Sequence, residues 1–479
     1  MEWWWAAGSL VAVFALVVLA IWQKFGPKPD YEGAPPRVYT RLPFVGPALS
    51  FWWDANDFLN WAYDNFGPVF RVNLLLVDAT VLIDTGSTGG GGRGGRYYRI
   101  FFESEENEIS FFQAMQPLVR PLLSSSSSAP PLSRLQECHR LLVLALSSSA
   151  SSMMERWTQN ALRLARSRFE EWSQQQKPLQ DLHAGLEGLA ADINVANFMG
   201  ESFGRSKGHH WTRLMVQLQQ NAGSWSALLL PGLPFPAIQR CKRTRAALHD
   251  MLEAELQKRR NNQPAEDADL LQLLIDSGAS TEAILDVQIS LFITSHHNLA
   301  NLLTWLAASL FLPKNKQPLQ KALEEQEAQP AEFIYLNQCI KEVIRSYSSL
   351  TVYPRKVIKP FRVDLATIAK DSYVLVTPYI HHQDKNIYPQ PERFYPERFD
   401  PARGASPYGN QFTYFGFGPH ACKGAGYTLA VSKACIGLLL REYKVELSGR
   451  NEELPDPKFA RWVGLASPSA ALLATISRR

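Results

Sequence analysis

The sequence has few cysteines for its length, and their arrangement excludes two common structural roles. Five cysteines are spread over 479 residues, and no two are spaced as C-x-x-C. An odd, scattered set favours neither a disulfide framework nor a zinc ribbon, and it suits a reducing compartment. Each thiol therefore has to be judged by its own surroundings.

The chain also lacks any block of like charge. Lys and Arg number 49 against 45 Asp and Glu, and no basic cluster resembles a nucleic-acid footprint. We therefore expect no nucleic-acid partner. There is no internal repeat, and the 46% of hydrophobic residues is typical of a globular chain that can bury a large core.

One long apolar run is present, at the N-terminus. Residues 3–22 carry no charge and are long enough to cross a bilayer as a helix, with tryptophans at both ends. Lys24 and Lys28 follow the run, so the positive-inside rule places the rest of the chain in the cytosol. A cleaved signal peptide, the alternative, would need a basic start and a shorter run. We predict a single-pass anchor over 1–24 and a proline-rich hinge over 25–48.

The rest of the chain, 49–479, predicts a mostly α-helical domain with a minor β portion. Apolar residues recur at helical spacing from Glu155 onward, and "DANDFLNWAYDNFG" predicts a helix capped by Asp54. The stretch "PVFRVNLLLVDATVLIDTG" predicts two strands. Residues 86–152 contain glycine and serine runs and give weak structural signals.

One cysteine has an unusual setting. Cys422 lies in "FTYFGFGPHACKGAG", among four glycines and directly before an apolar helical stretch. Backbone N–H groups and the helix dipole stabilise a thiolate at the start of a helix, and glycines allow a bulky group to approach closely. The stretch indicates a loop that presents a thiolate to a flat prosthetic group. The alternative is an ordinary buried cysteine in a glycine-rich turn.

The residues around this cysteine resemble a known family. Phe415, Gly418, Cys422 and Gly424 fill the F-x-x-G-x-x-x-C-x-G pattern of the cytochromes P-450, which are heme-thiolate enzymes. The resemblance implies the cytochrome P-450 fold, heme b as cofactor, and Cys422 as the thiolate ligand of the heme iron.

Three further stretches match the family in the same order along the chain. "KEVIR" supplies Glu342 and Arg345, which resemble the E-x-x-R pair, and "PERFYPERFD" supplies Arg398, which resembles the third member of the Glu-Arg-Arg network. "LPFVGP" and "NFGPVF" resemble the N-terminal entry of microsomal members. E-x-x-R alone is usually a surface ion pair, so the order of the motifs carries the resemblance.

The resemblance also implies how the heme propionates are held. His420 stands where the family has a propionate-binding Arg or His. The alternative is an ordinary loop histidine whose hydrogen bonds are satisfied without a propionate. Arg355 resembles the propionate-binding arginine on the strand after the E-x-x-R helix. Arg140 resembles the basic residue of an earlier helix, but its usual aromatic partner is not evident.

The central helix departs most from the family. The usual pattern Ala/Gly-Gly-x-Asp/Glu-Thr-Thr, whose acid and alcohol relay protons, is replaced by Thr294–Leu299, "TSHHNL". His297 takes the acid position and Asn298 the alcohol position, so we predict these two as the catalytic residues. Sterol 14-demethylases are similar in the histidine; sterol 7α-hydroxylases and prostacyclin synthase are similar in the asparagine. Neighbouring helix residues point about 100° apart, so His296 and His297 are not expected to hold one metal ion together.

The resemblance implies an oxidoreductase of lipid metabolism. We expect a membrane-anchored monooxygenase of the endoplasmic reticulum that hydroxylates a sterol or a fatty-acid derivative. It would use O2 and electrons from NADPH-cytochrome P-450 reductase. Because the turn has no carboxylate, a reductase-independent isomerase or lyase of lipid hydroperoxides or endoperoxides is an alternative. A heme-binding scaffold without turnover is a third.

Overall fold

A computed structural model describes the part of the chain to which all structural statements below refer. The described residues are 30–40, 46–74, 77–84, 95–123, 131–147, 151–175, 178–179, 181–224, 226–227, 233, 235–261, 269–328, 332–347, 352–403, 412–448, 453–458 and 466–479. The predicted anchor, 1–24, and the start of the predicted hinge lie outside them. Within them, no helix has both the length and the apolar character that crossing a bilayer requires.

Helices make up most of the described residues, which confirms the predicted mostly α character. They are α1 Gly46–Trp53, α2 Ala55–Phe66, α3 Arg96–Glu103, α4 Phe111–Val119, α5 Pro131–Ser147, α6 Ser151–Ser173, α7 Leu182–Met199, α8 Glu201–Ala222, α9 Pro236–Arg260, α10 Leu270–Asp276, α11 Thr281–Phe311, α12 Lys316–Ala328, α13 Ile334–Ser346, α14 Pro378–His382 and α15 Ala425–Glu442.

The strands are short and form the minor β portion. They are β1 Val69–Asn73, β2 Asp78–Leu82, β3 Ile109–Ser110, β4 Tyr353–Val357, β5 Phe361–Val363, β6 Ala366–Ile368, β7 Tyr373–Val376, β8 Tyr443–Leu447, β9 Pro457–Lys458, β10 Ser467–Pro468 and β11 Ala474–Arg478. Three two-stranded ribbons, β5–β6, β8–β11 and β9–β10, are antiparallel.

The chain divides into two compact units, of which the first comprises Met1–Ala114 and Thr351–His381. Its five-stranded sheet has the order β1-β2-β7-β4-β3. The two strands predicted within "PVFRVNLLLVDATVLIDTG" are β1 and β2, which pair antiparallel, and β2 pairs parallel with β7. The predicted cap of α2 is also confirmed, because the Asp54 side chain accepts a hydrogen bond from the N–H of Asp57.

The second unit comprises Met115–Leu350 and His382–Arg479, and its central element is α11, a helix of 31 residues. Ser280 caps its start by accepting the N–H of Ala283. Every residue from Leu299 to Phe311 is buried, as expected of a helix inside a bundle. The helix packs against α5, α7, α9, α13 and α15. Trp305 on α11 donates its Nε1–H to the carbonyl of Ala466 over 2.8 Å.

Helices are also present within residues 86–152, where the glycine and serine runs gave only weak signals of secondary structure. α3, α4 and α5 lie between residues 95 and 147. Arg134 on α5 donates two hydrogen bonds to the buried Asp286 on α11, of 2.9 Å and 2.7 Å, and Arg245 on α9 donates another of 2.6 Å. This ion network fixes α5, α9 and α11 to one another, and no motif in the sequence indicated it.

Candidate active site

The loop before α15 presents Cys422. The N–H of Cys422 donates to the carbonyl of Phe415 over 2.7 Å, which closes the loop upon itself. Gly416 and Gly418 have φ angles of 61° and 70°, in the left-handed region that favours glycine. The glycine of the motif at 418 is therefore required by the backbone conformation of the loop, and α15 begins three residues after the cysteine.

Cys422 is exposed, whereas the other four cysteines are buried. Desolvation nevertheless raises the pKa of its thiol, while the N–H groups of Gly424 and Ala425 and the charge of Lys423 lower it. The residue is thus exposed as a whole, although surrounding protein desolvates its thiol. The N–H groups directed at it stabilise negative charge on sulfur once a metal cation deprotonates the thiol. This arrangement fits a metal-bound thiolate.

Arg355 on β4 is the strongest candidate for holding an anionic part of a cofactor. It is 3% exposed and has no ion-pair partner among the described residues. Its guanidinium carbon lies 4.8 Å from the ring centroids of both Phe101 and Phe111. Burial lowers the pKa of Arg355 to about 10, and the charge of Glu106 opposes this shift. A buried cation of this kind is costly without a counter-charge, so it fits a carboxylate such as a heme propionate.

The two other predicted propionate ligands differ in their surroundings. His420 ends a short 3-10 turn, Gly418–His420, and is half-buried. Arg140 on α5 is exposed to solvent. The residue of α5 that approaches His420 is the neighbouring His139, with the ring centroids 6.0 Å apart. Sequence reasoning missed His139; its position next to Arg140 in "CHRLL" was the available signal.

The structure brings Glu342, Arg345 and Arg398 together in a fully buried cluster. Arg345 donates to both carboxylate oxygens of Glu342, over 2.9 Å and 3.0 Å, and Arg398 donates Nε–H to Oε1 over 3.0 Å. Further guanidinium N–H groups donate to the carbonyls of His382 at 2.8 Å and Pro391 at 2.6 Å and to the Ser346 hydroxyl at 2.9 Å. The network therefore fixes the segment after α14 to α13 through satisfied, charge-assisted hydrogen bonds.

A carboxylate from another helix approaches the histidine pair on α11. Oε1 of Glu187, on α7, lies 3.0 Å from Nδ1 of His297 and 3.6 Å from Nε2 of His296. The turn itself has no carboxylate, but Glu187 supplies one from more than 100 residues earlier in the chain. Hydrogen bonds from His296 and His297 hold the pKa of Glu187 well below its usual range, against the opposing effect of burial.

The other polar side chains of this turn bond to the helix backbone. The Thr294 hydroxyl donates to the carbonyl of Ser290 over 2.7 Å, and the Ser295 hydroxyl donates to that of Leu291 over 2.5 Å. The Asn298 amide donates to the carbonyl of Thr294. Because these donors bond one helical turn back, the contacts that leave α11 at this turn are those of His296 and His297.

Comparisons with known proteins agree with these features. A sequence model of the family described as Cytochrome P-450 matches residues 105–473. The chain is 24% identical over 474 residues to lanosterol 14-alpha demethylase of Mus musculus, covering 92% of this chain and 87% of that protein. It is 25% identical over 465 residues to sterol 14-demethylase of Arabidopsis thaliana, covering 92% and 91%.

A solved structure shares the fold. The structure of a cyanobacterial CYP120A1 with bound retinoic acid superposes with a TM-score of 0.73 at 22% identity, covering 94% of this chain and all of that one. The helix-rich architecture with its minor β portion is therefore the architecture of that protein.

Proposed function

Because the chain belongs to the cytochrome P-450 family, whose members are oxidoreductases with a heme-thiolate cofactor, we propose that it is a monooxygenase of lipophilic molecules. It hydroxylates a sterol or a fatty-acid derivative with O2 and electrons from NADPH-cytochrome P-450 reductase. The predicted anchor over 1–24 holds it in the membrane of the endoplasmic reticulum, with the catalytic domain in the cytosol. The names of the two sterol demethylases support the sterol as substrate class.

Four residues would hold the cofactor under this proposal. Cys422 would ligate the heme iron, and the buried Arg355, together with His420 and Arg140, would bind the propionates. When bound, the heme supplies the activation of dioxygen that a hydroxylation requires. The protein contributes the negative sulfur, the counter-charges and a source of protons.

The contact between His297 and Glu187 is the observation that favours a monooxygenase over an isomerase or lyase. Reduction of dioxygen consumes protons, whereas isomerisation of a peroxide needs none. The side chains of Glu187 and His297 are 34% and 35% exposed, so solvent reaches both. A carboxylate that holds Nδ1 of an imidazole orients the ring and lets its other nitrogen pass a proton. His297 and Glu187 thus take over the function of the missing acid–alcohol pair.

Reconstitution with purified reductase tests this proposal. Heme-loaded protein is incubated with NADPH, reductase and a panel of sterols and fatty acids, and NADPH consumption and hydroxylated product are measured together. In a parallel reaction without reductase, lipid hydroperoxides and endoperoxides are offered. Product that depends on NADPH and O2 is expected. Turnover of the peroxides alone would assign the chain to the isomerases or lyases, and no product in either reaction would favour a scaffold.

His297→Ala tests the proton function within the same assay. The O2-dependent rate is expected to fall by about 100-fold, the lower end of what a positioned acid–base group contributes. His210→Ala, an exposed histidine on α8, is the matched control and should leave the rate unchanged. An unchanged rate in His297→Ala would remove His297 from the reaction.

A further inference from the structure

We propose that Glu187, His296 and His297 form a binding site for a divalent zinc ion, separate from the heme iron. Each residue offers one ligand atom, and the three atoms, Oε1, Nε2 and Nδ1, lie within 4.8 Å of one another. No other group of three or more such residues within the described part of the chain meets this condition.

The three ligand atoms are already close to the separations that a bound zinc ion requires. Glu187 Oε1 is already 3.0 Å and 3.6 Å from the two ring nitrogens. Zinc binds imidazole nitrogen and carboxylate oxygen with bonds of about 2.0–2.2 Å in a tetrahedral arrangement. Ligands on a tetrahedron of that size are therefore separated by roughly the spacing seen here. Two imidazoles and one carboxylate are also a ligand set that zinc accepts while keeping a fourth position for water.

The neighbouring histidines reach one point because the third ligand comes from a different helix. Side chains that leave α11 about 100° apart were not expected to hold one ion. Glu187 projects from α7, which packs along α11, and its Oε1 lies within 3.6 Å of one nitrogen of each ring. Although the two side chains leave α11 in different directions, their ring nitrogens and Glu187 Oε1 lie within 4.8 Å of one another.

The site is both accessible and preorganised. Glu187 and His297 are about one third exposed, so a hydrated ion can enter from solvent, whereas His296 is only 3% exposed. The His296 ring stacks on Phe292 with centroids 4.7 Å apart and an angle of 17° between the planes. Its Nδ1 has no hydrogen-bond partner among the described residues. Packing therefore sets the orientation of this ring and directs Nε2 at the carboxylate.

A consequence follows that rests on the proposed function. The Nδ1 of His297 and the oxygen of Glu187 that would bind zinc are the two atoms whose contact orients the ring for proton transfer through its other nitrogen. Zinc binding and proton transfer therefore exclude each other, and zinc is expected to slow O2-dependent turnover in the wild-type protein.

Calorimetric titration of zinc chloride into chelator-treated, heme-loaded protein tests the site itself. One equivalent is expected to bind to the wild-type protein. Glu187→Gln and His297→Ala should each weaken this binding by more than about 100-fold, because even residues outside the first ligand shell contribute 10–100-fold. The matched control replaces His209 and His210, an adjacent and exposed pair on α8, with alanine and should bind zinc as the wild type does. Wild-type affinity in Glu187→Gln, or no binding to the wild type, would overturn the proposal.

X-ray absorption at the zinc edge needs no variant and so does not depend on how the variants fold. Only nitrogen and oxygen neighbours, with the scattering of two imidazoles, are expected. A sulfur neighbour at about 2.3 Å would place the ion on a cysteine and overturn the site. The turnover assay separates the two proposals: zinc that binds at this site without slowing the reaction would refute proton transfer through His297 and leave the metal site in place.

Discussion

The functional groups of the Cys422 loop all come from one short stretch of sequence, whereas those around the His296–His297 turn come from two helices. The loop supplies its own glycines, its own N–H donors and the start of its own helix, all between Phe415 and Ala425. The turn lacks the family's acid and alcohol, and the carboxylate that contacts it comes from Glu187 on another helix. A local motif therefore identifies the first site, whereas only the packing of α7 against α11 completes the second.

The difference follows from the two proposed tasks, which are metal ligation by a thiolate and proton transfer. A thiolate ligand needs one sulfur held by a fixed backbone conformation. Substitution of a neighbouring residue changes that conformation or the N–H groups directed at the sulfur. A proton relay needs only a chain of titratable groups within hydrogen-bond reach, and these groups can come from any element that packs nearby. A proton relay can therefore use different residues in different proteins, while the loop that carries the ligand cysteine keeps its sequence motif.

The largest effect is expected from Cys422→Ser. Serine offers no thiolate, so the ferrous–CO complex should lose the Soret shift that marks a thiolate ligand. Cys435→Ala is the matched control, because this cysteine lies on α15 and burial raises the pKa of its thiol to about 12; its spectrum should keep the shift. Retention of the shift in Cys422→Ser would mean that another group ligates the iron.

The next effect, on stability, is expected from Glu342→Gln. This change leaves Arg345 and Arg398 buried without their counter-charge, which costs about 3–5 kcal/mol. Arg168 and Glu171 form a pair with the same i, i+3 spacing, but Glu171 is 59% exposed. Glu171→Gln is therefore the matched control, with an expected cost below about 0.5 kcal/mol. Chemical denaturation of both variants measures the difference, and equal costs would show that burial does not govern the network.

A smaller effect is expected from Glu187→Gln, measured as turnover. The amide keeps the shape of the side chain but no longer accepts and releases a proton, so the O2-dependent rate should fall by about 100-fold. The affinity for substrate and the ferrous–CO spectrum should not change, because neither depends on the relay. A wild-type rate would show that the turn works without its remote carboxylate and would remove the contrast with the Cys422 loop.

Sequence reasoning reached the features that are local or belong to an ordered set of motifs. The cap at Asp54, the strands β1 and β2, the mostly α character and the glycine-rich loop before α15 are of this kind, because each depends on neighbours within a few residues. Glu187, His139 and the Asp286 network were missed. Each joins elements far apart in the chain. His139 had a signal in its position next to Arg140, but nothing in the sequence of α7 or α11 distinguishes Glu187 or Asp286 from ordinary surface residues.

The smallest effect is expected from Asn298→Ala. The sequence places Asn298 at the family's alcohol position, but its amide donates to the carbonyl of Thr294 in the same helix. Such a bond contributes little to helix stability, and alanine is the better helix former by a few tenths of a kcal/mol, so stability should change by less than about 1 kcal/mol. Turnover should change by less than about threefold, which is under ~0.7 kcal/mol in the barrier. Asn298→Gln, which moves the amide by one methylene, serves as the comparison in the same assay. A tenfold loss in Asn298→Ala would mean that the amide acts on the reaction, and that the turn has kept part of its relay within the helix.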